Sequence, residues 1–120
     1  MDLAIFRDRD GVIGCVTDQC THRGAALSLG KVVDRCIQCP FHGLRFDADG
    51  SCTEVPANGR ASAADLSRFN VKSWKVAESS GIIYLWYGDA GKAAGDPPFF
   101  YEDIDSSWTY SEMEDHWNSH

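Results

Sequence analysis

The sequence feature that most constrains this chain is a pair of short Cys/His segments, CTHRG at residues 20–24 and CPFHG at residues 39–43. Each segment contains one cysteine and one histidine, and together they hold two of the four histidines in the chain. A glycine follows each histidine closely and a proline follows the second cysteine, so both segments are able to turn sharply. Two such turns lying side by side would bring four metal-binding side chains together.

The candidate ligands are two thiols and two imidazoles: Cys20, His22, Cys39 and His42. This set is compatible with a closed tetrahedral zinc site. It is also compatible with a [2Fe–2S] cluster that has two cysteines on one iron and two histidines on the other. Zinc sites usually open with a pair of closely spaced cysteines, whereas each segment here supplies one cysteine and one histidine. The spacing therefore favours a two-iron cluster, and zinc remains the alternative.

The chain has five cysteines, an odd number, and its first residues lack the basic region and apolar stretch of a signal peptide. A disulfide scaffold is therefore disfavoured, and we expect a cytoplasmic location. Cys15, Cys36 and Cys52 are expected to be small buried thiols, although Cys36 and Cys39 share the spacing of a redox or zinc knuckle.

A length of 120 residues favours a single domain. No apolar run approaches the roughly 18 residues that a membrane-spanning helix needs, so we expect no membrane partner. The net charge of −7 argues against binding to nucleic acid, which requires clustered Lys and Arg. An acidic surface would instead suit a basic docking partner or solubility.

The strand pattern predicts an all-β fold built from three hairpins, each with an acidic, serine-rich or glycine-containing turn. The predicted strand pairs are residues 3–7 with 12–16, residues 44–46 with 51–55, and residues 71–78 with 82–87. Three hairpins within about ninety residues indicate a small sandwich or barrel. Residues 61–69 are compatible with a short helical turn.

The two Cys/His segments together resemble the Rieske pattern C-x-H-x15–17-C-x2-H, with sixteen residues between His22 and Cys39. The resemblance implies a small β-sandwich with a cluster-binding subdomain of two loops. It also implies that Cys20 and Cys39 hold the buried iron. His22 and His42 would hold the outer iron near the surface, where electrons enter and leave.

Respiratory Rieske proteins carry an additional cysteine in each loop, forming a disulfide, and a hydroxyl residue just after the second glycine. The corresponding positions here are Ala25, Phe41 and Leu44, so the disulfide and one hydroxyl donor to the cluster are missing. Fewer hydrogen bonds to the sulfurs lower the reduction potential, towards the bottom of the Rieske range of about −150 to +300 mV. We therefore expect an electron donor suited to oxygen activation.

Residues 4–88 are similar to the N-terminal domain of Rieske non-haem iron oxygenases, above all across residues 20–56. Thr21 departs from that family, in which proline is common at this position. The resemblance implies that the cluster takes one electron from a reductase or ferredoxin. It would pass the electron to a mononuclear Fe(II) in an oxygenase catalytic domain, often that of a neighbouring subunit in a homo-oligomer. The alternative is a standalone Rieske ferredoxin-like carrier.

We expect residues 1–88 to form the Rieske domain and residues 89–120 to be a linker and the lead-in to a catalytic domain beyond this chain. The chain alone is therefore not expected to be catalytically competent. Glu112, His116 and His120 are spaced four residues apart and would share one helical face. Their spacing differs from the iron-binding motif of the family, so we do not expect them to bind iron.

Overall fold

A computed structural model describes residues 2–59, 65–79, 81–93, 107, 109 and 111. This part of the chain contains short β-strands and single 3-10 turns, and no α-helix, which confirms the all-β prediction. The strands are β1 Leu3–Arg7, β2 Ile13–Thr17, β3 Lys31–Val33, β4 Cys36–Gln38, β5 Arg45–Phe46, β6 Cys52–Glu54, β7 Val76–Ser79 and β8 Ile82–Leu85. The 3-10 turns are Leu27–Leu29, Pro56–Asn58, Ser67–Phe69 and Ala90–Lys92.

The strands form three antiparallel sheets, with the orders β1-β2, β3-β4-β5-β6 and β7-β8. All three predicted hairpins are present, with strand ends that differ from the predicted ends by one or two residues in most cases. The largest difference is at residues 71–75, which precede β7 and touch β2 through an isolated bridge between Ser73 and Val16. The β3–β4 hairpin is an addition to the predicted set.

Two of the predicted turns are stabilised by an aspartate at their first position. Asp8 Oδ1 accepts hydrogen bonds from the amides of Asp10 and Val12, at 2.8 and 2.9 Å. Asp47 repeats the arrangement in the turn between β5 and β6, where its Oδ1 accepts from two amides at 3.1 and 2.8 Å. A short carboxylate that satisfies turn amides in this way explains why the sequence predicts both turns well.

The first and third sheets are joined through residues 71–75. The amide of Trp74 donates to the carbonyl of Cys15 at 2.9 Å, and the amide of Thr17 donates to the carbonyl of Lys72 at 2.9 Å. These bonds fix the chain against β2 at the point where β2 leads into the first Cys/His segment.

The first hairpin turn also contacts the turn between β3 and β4. Arg9 pairs with Asp34 at 3.2 Å, and Arg35 pairs with Asp10 across the same junction. The amide of Arg9 donates to the carbonyl of Asp34 at 3.2 Å. The four-stranded sheet is thus held to the β1–β2 hairpin at its outer end.

Buried side chains from the described strands and loops form one hydrophobic cluster. Its members are Ala4, Phe6, Val16, Cys20, Leu27, Ile37, Cys39, Leu44, Phe46, Cys52 and Val71. Two of these, Cys20 and Cys39, belong to the predicted ligand set, so the core extends directly under the Cys/His segments.

The helical turn expected over residues 61–69 is observed only as the 3-10 turn Ser67–Phe69, and residues 60–64 lie outside the described part. Within the described ranges, no helix has the length and apolar character needed to cross a bilayer.

Candidate metal centre

The first Cys/His loop spans residues 20–25 and is closed by two backbone hydrogen bonds. The amide of Cys20 donates to the carbonyl of Ala25 at 2.9 Å, and the amide of Gly24 donates to the carbonyl of Cys20 at 2.8 Å. The loop follows β2 after two residues, so its first cysteine is placed by the sheet.

The second loop spans residues 39–44 and repeats this pattern position by position. The amide of Cys39 donates to the carbonyl of Leu44 at 2.8 Å, and the amide of Gly43 donates to the carbonyl of Cys39 at 3.2 Å. It connects β4 to β5. The two loops differ in that the histidine occupies the third position of the first loop and the fourth position of the second.

Both loops depend on a glycine with a positive φ angle, 72° at Gly24 and 75° at Gly43. Residues with a side chain rarely adopt this conformation. At Gly43 a side chain would also meet Pro56, whose Cγ lies 3.2 Å from the position of an added Cβ. The glycines noted in the sequence are therefore required by the loop geometry.

The two cysteines form the buried side of the site. Cys20 and Cys39 are each 2% exposed, and their thiols lie close enough to interact. Burial raises the pKa of the Cys20 thiol, and the nearby Cys39 adds to the rise, while the amides of His22 and Arg23 that donate to the sulfur oppose it. A metal that binds here has to displace the thiol protons, and the same amides are positioned to stabilise a thiolate.

The two histidines form the exposed side of the site. The ring centroids of His22 and His42 lie 4.6 Å apart, with the rings inclined by 65°. Phe41 packs against His42, with the two ring centroids 3.9 Å apart. The structure therefore places the predicted side chains as two pairs, with the thiols of Cys20 and Cys39 in the core and the imidazoles of His22 and His42 at the surface.

The donors fall into two pairs, and this grouping bears on the kind of metal site. Across the described ranges, no three His, Cys, Asp or Glu side chains converge on a single metal position. A tetrahedral zinc site needs four ligands around one point, whereas a [2Fe–2S] cluster with mixed ligands needs one pair on each of two irons. The separate thiol and imidazole pairs fit the second arrangement.

One contact that the sequence did not predict anchors the first loop. The hydroxyl of Thr21 donates to the carbonyl of Phe69 at 2.6 Å. This is the position at which the oxygenase sequences commonly have proline, so the departure introduces a hydrogen bond between the loop and the 3-10 turn Ser67–Phe69. The sequence carries no signal for it, because the two residues are 48 positions apart.

The remaining cysteines divide into two groups. Cys15 and Cys52 are buried, as expected, and burial raises the pKa of both thiols. The expectation for Cys36 is wrong: its side chain is only half-buried, with Sγ 3.3 Å from Thr53 Oγ1. In β4 alternate residues face opposite sides, and the neighbouring Ile37 takes the core side. All five cysteines are free.

Glu112, His116 and His120 lie outside the described residues.

Residues 1–75 match the Rieske [2Fe-2S] domain family, so the chain belongs to that family. This confirms the resemblance seen in the sequence, and with it a [2Fe–2S] cluster and one-electron transfer as the chemistry of the domain. The small antiparallel sheets agree with the fold of the solved relatives.

Individual relatives are oxygenases. The chain is 43% identical over 91 residues to the oxygenase component of dicamba O-demethylase from Stenotrophomonas maltophilia, covering 76% of this chain and 26% of the relative. It is 41% identical over 95 residues to chlorophyllide a oxygenase from Chlamydomonas reinhardtii, covering 79% of this chain and 14% of the relative. A crystal structure of dicamba monooxygenase with non-heme iron and dicamba superposes with a TM-score of 0.70 at 39% identity, covering 81% of this chain and 29% of that one. The chain thus spans between about a seventh and less than a third of these proteins.

Proposed function

We propose that Cys20, Cys39, His22 and His42 hold a Rieske [2Fe–2S] cluster, with the cysteines on the inner iron and the histidines on the outer iron. The observation that carries the proposal is the pair of equivalent loops, each of which supplies one buried thiol and one exposed imidazole, with the two imidazole rings adjacent. When bound, such a cluster accepts and releases one electron.

The surroundings of the four side chains suit this role. The core that covers Cys20 and Cys39 excludes water from the sulfurs, and the amides of His22 and Arg23 donate to one of them. The imidazoles are exposed and therefore provide the short route by which an electron enters or leaves.

We propose that the electron comes from a reductase or ferredoxin and goes to a mononuclear non-haem Fe(II) in an oxygenase catalytic domain, within a homo-oligomer or on the same chain. The support is the similarity to oxygenases of which this chain matches only a small part. In this proposal residues 1–88 are the electron-transfer domain and residues 89–120 lead towards the catalytic domain.

The ligand assignment is tested by His42→Cys in protein assembled with iron and sulfide. We expect the variant to retain a cluster whose EPR spectrum changes to the ferredoxin type and whose reduction potential is markedly lower, because a thiolate replaces a neutral imidazole. His116→Cys is the matched control and should leave the spectrum unchanged. An unaltered spectrum in His42→Cys would remove that residue from the ligand set. A colourless protein with stoichiometric zinc and no EPR signal after dithionite would refute the cluster.

The destination of the electron is tested separately, in the coding sequence that follows His120. We expect it to continue into a domain with a D/E-x2-H-x4-H type motif, which supplies the mononuclear iron site. A stop codon directly after His120 would favour a standalone Rieske carrier instead.

A further inference from the structure

The surface around the exposed histidines combines apolar side chains with basic ones. We call it the tip surface; its members besides His22 and His42 are Arg23, Leu29, Lys31, Phe41, Arg68 and Lys72. The tip surface is the face through which an electron reaches the proposed cluster, so the chemistry of its side chains determines which proteins approach.

The centre of the tip surface is apolar and accessible. Leu29 is 78% exposed and Phe41 is 62% exposed, high values for large apolar side chains. Both line a groove of about 430 Å³ that reaches Cys39. Exposed apolar side chains beside a functional group are typical of a contact surface for another protein.

Basic side chains flank this centre on two sides. Lys31 lines the same groove as Leu29 and Phe41. Lys72 lines a second groove of about 360 Å³, together with Cys20 and Thr21 of the first loop. Arg68 is placed beside that loop by Phe69, since its guanidinium lies 4.7 Å from the Phe69 ring and the Phe69 carbonyl accepts from the Thr21 hydroxyl.

Carboxylates are scarce in the sequence segments of the tip: Asp65, next to the third segment, interacts with Arg68, and Asp18 precedes the first segment. Residues 19–33, 36–46 and 66–75 contain no Asp or Glu. Within the described ranges, Arg23, Lys31 and Lys72 make no ion pair, whereas Arg7, Arg9, Arg35 and Arg45 are each paired with a carboxylate.

The net charge of the whole chain conceals this local excess. Residues 94–120 contain seven acidic residues and no Lys or Arg, whereas residues 1–93 contain 11 of each sign. The net charge of −7 therefore belongs entirely to the last 27 residues. The net charge alone suits a basic docking partner or solubility, whereas the local charge of the tip surface favours an acidic partner.

We propose that the tip surface docks an acidic one-electron carrier protein, one whose redox centre lies beside an apolar spot within a ring of carboxylates. The inference rests on the proposed function and names the chemistry of the donor. Opposite charges would accelerate the encounter, and the apolar centre would exclude water at the closest approach. In each encounter the reduced carrier loses one electron and the proposed cluster gains it.

The test measures how fast a reduced plant-type [2Fe–2S] ferredoxin, which has an acidic surface, reduces the cluster-loaded chain in a stopped-flow instrument. For the wild type we expect the second-order rate constant to fall steeply as ionic strength increases, because salt screens the attraction. The double variant Lys31→Glu/Lys72→Glu should lower the rate constant at low ionic strength by about tenfold or more. Lys92→Glu makes the same charge change on a residue that lines neither groove and should have little effect.

Reduction by dithionite separates the two proposals. If dithionite produces no reduced-cluster signal in any variant, the proposed function fails. A second outcome is that dithionite reduces every variant while the rate constant for reduction by ferredoxin changes neither with the charge reversals nor with ionic strength. In that case the docking proposal is wrong and the cluster assignment stands. Sedimentation velocity gives one further outcome: an oligomer that Lys31→Glu/Lys72→Glu dissociates would assign the tip surface to a second copy of this chain, and would overturn the carrier proposal.

Discussion

Gly43 shows how closely a single residue controls the shape of the site. Its φ angle of 75° allows the second loop to close between Cys39 and Leu44, and its missing side chain leaves space for Pro56. Both constraints act on a backbone atom beside His42, so the position of that imidazole depends on a residue with no chemistry of its own.

We predict that Gly43→Ala destabilises the fold by about 1–2 kcal/mol from the left-handed backbone conformation, plus the cost of displacing Pro56. Denaturant unfolding would give the stability, and the retained iron per chain would report the loop. Gly11→Ala is the control, because Gly11 also has a positive φ angle, 86°, with no atom within 4 Å of the added Cβ. Equal losses in the two variants would mean that contact with Pro56 contributes nothing.

The hairpins show which parts of the fold are local enough to be predicted. The three predicted hairpins have strong turn signals, and in two of them an aspartate satisfies the turn amides directly. The β3–β4 hairpin lacks such a signal, because its two-residue turn is Asp34-Arg35, with Asp34 at a φ of 56° and no glycine. Its strands are three residues long, too short for an alternating pattern to stand out.

The proposed metal ligands were recognisable in the sequence for a related reason. The four ligands lie within two segments of four residues or fewer, so their spacing records the local turn geometry. The exposure of Cys36 and the contact between Thr21 and Phe69 depend on sheet register and on distant parts of the chain. Such features become visible only once the strands are paired.

A prediction at the level of elements concerns the ion pair that links β1 to β7. Arg7 donates two hydrogen bonds to Glu78, at 2.8 and 2.9 Å, and this pairing lowers the pKa of the Glu78 carboxyl. A lowered folded-state pKa means that the pair stabilises the fold above the ordinary pKa of glutamate. The contribution is lost as the pH falls through the lower, folded-state value.

Thermal unfolding measured from neutral to acidic pH would test this. Glu78→Gln should lower the melting temperature at neutral pH and have little effect at strongly acidic pH, where the wild-type carboxyl is protonated. Because both side chains are exposed, the difference should be small and should shrink with added salt. A constant difference between the two proteins at every pH would show that Glu78 acts through packing and not through its charge.

For the whole molecule, every described contact that positions the two loops lies within residues 2–93. The core beneath the loops ends at Val71, and residues 71–75 fix β2 from the outside. The acidic residues 94–120 are distinct from this unit in composition, since they carry the entire net charge.

We therefore predict that a chain ending at residue 93 folds and assembles the cluster with an unchanged EPR spectrum, while its net charge moves from −7 to about zero at neutral pH. EPR, isoelectric focusing and thermal unfolding are the measurements. A chain ending at residue 70 serves as the control and should fail to fold, because it lacks the segment that pairs with β2. Loss of the cluster in the longer truncation would show that residues 94–120 belong to the folding unit.

The self-closed form of the two loops has a consequence for how the protein is assembled. Each loop is held by hydrogen bonds to its own backbone, and each loop adjoins a strand of a sheet. The loss of chain entropy that orders the four side chains therefore occurs during folding. Iron and sulfide would then bind to loops that are already ordered. Little of the binding free energy would be lost to ordering the chain.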